Sequence, residues 1–263
     1  MVKKILPKKL DKSLVNGGSK KVAVGLSGGV DSSVAALLLK EQGYQVTGVY
    51  LQCWDEKADG CSAHEDRSYA VQLAASLDIK FIHLDFKDHY KDTVMKYFYD
   101  EYRSGRTPNP DVLCNKEIKF GLFFDWAMSK GFDHVATGHY ARVRKEGDRY
   151  FLLTGEDISK DQSYFLYSLD QDHLSKILFP IGGMKKDEVR KLARQNHLPT
   201  AERPDSTGIC FIGEIDVRMF LQKQIERFAS RVAPRCCQSI ELRLLIVAAR
   251  QFLEQDWVQA LRQ

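Results

Sequence analysis

Two short stretches of this chain hold side chains whose types and spacing could do chemistry. Residues 25–33 read GLSGGVDSS, and residues 108–120 read PNPDVLCNKEIKF. In the first, Gly25, Leu26, Ser27, Gly28, Gly29, Val30, Asp31 and Ser32 put small residues and backbone amides where an apolar run gives way to a helical pattern. Such a loop holds phosphate through amide donors and the helix dipole. It is not a Walker A loop, which needs Gly-Lys-Ser/Thr after four free positions, nor the dinucleotide pattern G-x-G-x-x-G. A glycine-rich turn without a ligand is the plain alternative. In the second stretch, the turn chemistry of Pro, Asn and Asp delivers Cys114 to the start of a helix. Asn115 reads as its N-cap, followed by Ile118, Leu122 and Trp126 at helical spacing. Lys116 and Lys119 stand nearby, and cations and a helix N-terminus both favour a thiolate. A buried structural cysteine is the alternative there.

Both stretches need a scaffold to place them. Four apolar runs, at 22–26, 45–51, 80–85 and 133–138, alternate with helical patterns at about 32–42, 65–78, 89–103 and 116–130. Strand, helix, strand in repetition predicts an α/β fold: an open, mostly parallel sheet with helices on both faces. Gly43 and Gly131 follow two of the helices, where C-terminal glycines belong. Ligands of such sheets bind beyond the strand C-termini, which points to the loops starting at Ser27, Gln52, Phe86 and His139. The pattern changes after a loose domain boundary near residue 145. A helix at 169–178 and another near 185–197 follow, within a smaller, partial second domain.

Composition narrows the class. The chain has 263 residues, 44% of them hydrophobic, which is enough for a real core. No apolar run is long enough to span a membrane. The lysine-rich leader, 1–20, lacks the apolar centre of a secretory signal, and six cysteines without framework spacing fit a reducing cytoplasm. A net charge of +4 permits an RNA partner without establishing one. Cys53, Cys61 and His64 lack the spacing of a zinc site and read as solvated loop. Lysine stops at Lys223, and residues 224–263 form a divergent, arginine-bearing tail whose role is unreadable.

Ser-Gly-Gly-x-Asp-Ser between a strand and a helix resembles the PP-loop of the ATP pyrophosphatases. The order GLSGGVDSS, GRTPNPDVLCNKEIKF, ATGHYAR, KDQSYFLY and DSTGICFIGE resembles the tRNA-specific 2-thiouridylases within that superfamily, over roughly 21–222. The resemblance implies a PP-loop/HUP-like nucleotide-binding domain at 21–145 and a tRNA-binding, catalytic-cysteine region at 146–223. It implies ATP-dependent 2-thiolation of the wobble uridine of tRNA, with Lys, Glu and Gln isoacceptors as substrates. Residues 25–32 would cradle ATP and Mg2+, with Leu51 and Gly138 meeting the nucleotide through their backbones. Asn109, Pro110 and Asp111 would surround the target base, and Lys160, Asp161 and Gln162 would contact tRNA, with His139 also near the RNA. Cys210 would carry a persulfide, Cys114 would be the nucleophile, and Asp111 is the candidate acid/base, or else a turn former. A sulfur-relay protein or cysteine desulfurase would load the persulfide. An iron–sulfur cluster on Asp111, Cys114 and Cys210 stays an open alternative, although no C-x-x-C is present. The family's C-terminal β-barrel has no counterpart here, so a non-catalytic nucleotide- or RNA-binding remnant and another PP-loop adenylating enzyme are the rival readings.

Overall fold

The structure, a computed structural model, describes residues 18–54 and 63–205. Its centre is a five-stranded parallel sheet built from β1 (Lys21–Gly25), β2 (Gln45–Gln52), β3 (Lys80–Asp85), β4 (His134–Ala136) and a short last strand at Ile177–Leu178. From one edge the order is β3, β2, β1, β4 and then that last strand. The chain therefore moves outward from β1 through β2 to β3, and afterwards returns to β1's other side as β4. This reversal leaves a switch point between the C-terminal ends of β1 and β4.

Burial on both faces explains the near-continuous apolar runs of the central strands. Successive side chains of a strand point to opposite faces, and β1 divides accordingly. Val22 and Val24 join a core with α1 (Val30–Glu41), α2 (Ala63–Ser76) and the late helix Lys186–Gln195. Ala23 joins the opposite core, with Tyr90, Val94, Phe98, Cys114, Ile118, Phe120 and Phe123. The helices of that second layer run over 87–103 and 110–129, each interrupted by π-helical turns, Lys91–Met95 and Asn115–Leu122. Each large apolar side chain buried in this way contributes about 1.5–3 kcal/mol.

Several expectations change in detail. The helix around Cys114 starts at Pro110, with Asn109 and not Asn115 as N-cap: its side chain accepts from the Val112 amide at 3.2 Å. Asn115 has interior helical torsions, φ −61° and ψ −45°, because Asn109 has already capped the helix and Pro110 fits its first turn. The helix expected at 169–178 stops at Lys176, and Ile177–Leu178 pairs with β4 as the fifth strand. Residues 141–154 form an antiparallel hairpin, β5 (Ala141–Glu146) and β6 (Arg149–Thr154), turned at Gly147 with φ +58°. Residue 145 lies within β5, and the fifth strand of the main sheet comes from beyond the hairpin. Cys53, expected in a solvated loop, is buried against the second core.

Candidate functional site

The loop after β1 is held in shape mainly by its own hydroxyls. The Ser32 hydroxyl accepts from the Ser27 amide at 3.2 Å, donates to the Gly29 carbonyl at 3.1 Å and lies 3.1 Å from the Ser27 hydroxyl. Ser33 donates to the same Gly29 carbonyl at 2.8 Å. Gly29 is the N-cap of α1 in extended conformation, and no side chain caps the helix. The first-turn amide donors are thus left to other partners, an arrangement that suits an anion at the positive end of a helix dipole.

Close backbone approach builds the rest of the cradle. Gly28 takes φ +77°, and a Cβ there would lie 2.3 Å from the Asp66 carbonyl oxygen at the start of α2. Gly138, just beyond β4, packs on α1 so tightly that a Cβ would lie 2.6 Å from the Ser32 amide nitrogen. The structure thus brings Gly138 to the 25–32 loop at the switch point. Leu51 is buried near the end of the adjacent β2.

Charged residues that the motif reading did not single out gather around Asp31. The Lys186 ammonium donates to both Asp31 carboxylate oxygens at 2.8 Å, and the Tyr140 hydroxyl donates to one of them at 2.9 Å. The same ammonium reaches Asp205 at 2.9 Å. Asp205 also accepts from Lys160 at 3.2 Å and from the Arg190 guanidinium. Its burial disfavours the charged form, but the bonds from Lys186, Lys160 and Arg190 outweigh this and hold its carboxyl at about 2. The Tyr140 hydroxyl is pushed well above its ordinary value, first by burial and then by the charge of Asp31. On the other side of the loop, Arg203 donates to the Gly28 carbonyl at 2.8 Å, pairs with Asp66 at 2.8 Å and lies 4.4 Å from the Tyr69 ring centroid. The sequence holds only a faint trace of these partners: basic residues at 185–203 beside the DSTG run.

The remaining candidates fall into two groups. Cys114 is fully buried in the interior of the 110–129 helix, so the helix-terminus rationale for its reactivity does not hold. Asp111 sits half-buried in the first helical turn, where a carboxylate suits the dipole, and its carbonyl accepts from the Asn115 side chain at 3.0 Å. Asn109 is exposed and Pro110 buried. His139 is 7% exposed, bonded through Nδ1 to the Thr137 hydroxyl at 2.7 Å, and lies against Phe120 and Phe179. Burial, then the nearby Lys119 charge, hold its imidazole well below its ordinary value, so it is neutral at pH 7.

Residues 160–162 are tied back to this centre. The Gln162 side chain accepts from the Tyr140 amide at 3.1 Å, and the Gln162 amide donates to the Tyr140 carbonyl at 3.0 Å. Asp161 organises its own turn, accepting from the Gly155 amide at 2.9 Å and the Ser163 hydroxyl at 2.8 Å. Cys61 and Cys210 lie outside the described residues. Among the described residues, no group of three or more His, Cys, Asp or Glu side chains is placed to hold a metal, and no helix is long and apolar enough to cross a membrane.

The chain is 51% identical over 212 residues to the tRNA-specific 2-thiouridylase MnmA of Listeria monocytogenes, covering 80% of this chain and 57% of that protein. It is 53% identical over 204 residues to the MnmA of Shouchella clausii, covering 77% of this chain and 56% of that protein. The chain thus spans little more than half the length of the curated relatives it matches. Among solved structures, a 4-thiouridine synthetase–RNA complex with bound ATP aligns with TM-score 0.49 at 15% identity, over 88% of this chain and 53% of that one. The family model described as the tRNA methyl transferase HUP domain matches residues 20–214, and the chain belongs to that family.

Proposed function

We propose that this chain carries the nucleotide-binding and thiol-bearing part of an enzyme that 2-thiolates the wobble uridine of tRNA at the expense of ATP. The observation that carries the reading is the uncapped glycine-rich loop at the β1/β4 switch point, closed by Gly138 against Ser32. The similarity to the 2-thiouridylases supports the choice of substrate.

Residues 25–32 hold the ATP phosphates, with Leu51 and Gly138 against the rest of the nucleotide. Magnesium would enter with the nucleotide and neutralise phosphate charge, and Asp31 is the loop carboxylate that would hold it. Asn109, Pro110 and Asp111 frame the target base, while Lys160, Asp161 and Gln162 approach the tRNA backbone from the hairpin side. His139, buried and neutral, packs against Phe120 and Phe179. The base oxygen attacks the α-phosphorus and pyrophosphate departs, which turns a poor leaving group into AMP. The terminal sulfur of a Cys210 persulfide then attacks the activated carbon, and AMP leaves. Cys114 attacks the Cys210 sulfur, which frees the thiolated base and forms a disulfide that a cellular thiol must reduce. Asp111 handles the proton. The loading partner would be a sulfur-relay protein or cysteine desulfurase, and the substrates the Lys, Glu and Gln tRNAs.

The test is to incubate the chain with ATP, magnesium, a cysteine desulfurase with cysteine as the persulfide source, a thiol reductant and unmodified tRNA for Lys, Glu or Gln, and to measure 2-thiouridine by mass spectrometry. ATP- and tRNA-dependent thiouridine is the expected result. ATP binding with neither pyrophosphate release nor thiouridine would overturn the reading.

A further inference from the structure

Lys186 opens the helix Lys186–Gln195, and its backbone is pinned there, since its amide donates to the Asp157 carboxylate at 2.9 Å. From that fixed root the side chain, only 11% exposed, runs to the start of α1. Its ammonium bonds both carboxylate oxygens of Asp31 at 2.8 Å and reaches Asp205 at 2.9 Å. It also lies 5.7 Å from the centre of the Tyr140 ring. Asp31 belongs to the same first turn whose amides no side chain caps. The ammonium is thus held within a side chain's length of those uncapped amides. Stability is a poor reason for a cation at this place. A positive charge in a helix's first turn faces the positive end of the dipole. An ion pair withdrawn from water loses much of its Coulombic gain to desolvation.

We infer that Lys186 is a phosphate-binding residue of the 25–32 loop, donating to the phosphate chain of a nucleoside triphosphate. The inference rests on the proposed reading of that loop as an ATP site. Backbone amides offer only partial charges to a triphosphate that carries several negative ones. A full positive charge beside them supplies what they lack, in the form of charge-assisted hydrogen bonds. An ammonium is a compact charge with three donors on a flexible stem, so it can change acceptors without moving its helix. In the structure those donors go to Asp31 and Asp205. Phosphate oxygens arriving beside Asp31 compete for the donors now on that carboxylate. Tyr140 also donates to Asp31 and keeps the carboxylate in place while Lys186 changes partners.

The experiment measures binding to the full chain of a non-hydrolysable ATP analogue, by calorimetry, and of adenosine, by ligand-observed NMR. Each is done with magnesium and again with EDTA. In Lys186→Met the analogue's affinity should fall at least about tenfold in both, the loss of a hydrogen bond to a charged group. Adenosine, which has no phosphate, should bind within about twofold of its wild-type affinity. Lys186→Arg keeps the charge and should recover much of the loss. Lys186→Gln keeps a donor toward Asp31 without the charge, should match Lys186→Met, and replaces it if that variant does not fold. Wild-type affinity for the analogue in a neutral variant would overturn the inference, as would equal losses for adenosine and the analogue. A loss seen only with magnesium would overturn it too. If neither neutral variant folds, Lys186 belongs to the scaffold and the inference falls. A wild type that fails to bind the analogue would instead overturn the reading of the loop as an ATP site.

Discussion

Gly138 lies so close to Ser32 that a Cβ at 138 would stand 2.6 Å from the Ser32 amide nitrogen and 2.8 Å from the Asp31 carbonyl carbon. The contact joins the loop after β4 to the first turn of α1, two segments far apart in sequence. It closes one wall of the 25–32 loop with backbone alone.

Gly138→Ala should therefore push α1 and the β4 loop apart. Since the obstructing atoms are backbone, they cannot step aside as a side chain would. We expect ATP affinity to fall by at least about tenfold, as 1.4 kcal/mol of displaced geometry would do. Calorimetric titration with an ATP analogue checks this, and wild-type affinity in the variant would sink the assignment.

Gly28→Ala meets two obstacles at once. The positive φ of 77° costs an L-residue about 1–2 kcal/mol, and the new Cβ would overlap the Asp66 backbone. Each kcal/mol lowers the midpoint of a domain of this size by about 2–4 °C. A fall of several degrees in thermal melting is expected, together with weakened nucleotide binding.

Cys114→Ser and Cys210→Ser each test the two-thiol scheme. Neither change should disturb the 25–32 loop, so ATP binding should match wild type. Thiouridine formation should drop by at least about a hundredfold in each, since both act in one chemical unit and their losses do not add. Full thiolation in either variant would remove that residue from the mechanism.

His139 predicts a pH dependence of stability. Burial lowers its folded-state value well below 6.5, so the unfolded chain binds the proton more readily than the folded one. Stability is fully present above the unfolded value and is lost as pH falls below about 6.5. The slope from this one group is at most about 1.4 kcal/mol per pH unit. Denaturant unfolding at pH 8 and pH 5.5 should show a smaller pH effect in His139→Gln than in wild type. An equal pH effect in both would place the titration elsewhere.

Much of the fold was legible in one dimension because its signals are local. A strand buried on both faces must be apolar along its length, so β1 and β2 announce themselves. Glycines in a strand-to-helix turn are equally local, and GLSGGVDSS marked its loop correctly. The last strand was not legible, because two residues at Ile177–Leu178 carry no period of their own and only pairing with β4 makes them a strand. The hairpin at 141–154 was missed for a related reason. Its strands alternate weakly, and half their side chains are charged or exposed.

The amino-acid order by itself determined the parallel α/β class, the glycine-rich strand-to-helix loop and the placement of Cys114 in a helical stretch, since each depends on neighbours within a few residues. Tertiary structure alone decided that Cys114 would be buried in an apolar layer. It also decided that Lys186, Arg203 and Asp205, from a segment more than 150 residues beyond Asp31 in the chain, would close around the loop. Ion pairs of that span leave no periodic trace. They depend on how the sheet's strand order folds the late helix back onto α1, which no local pattern encodes.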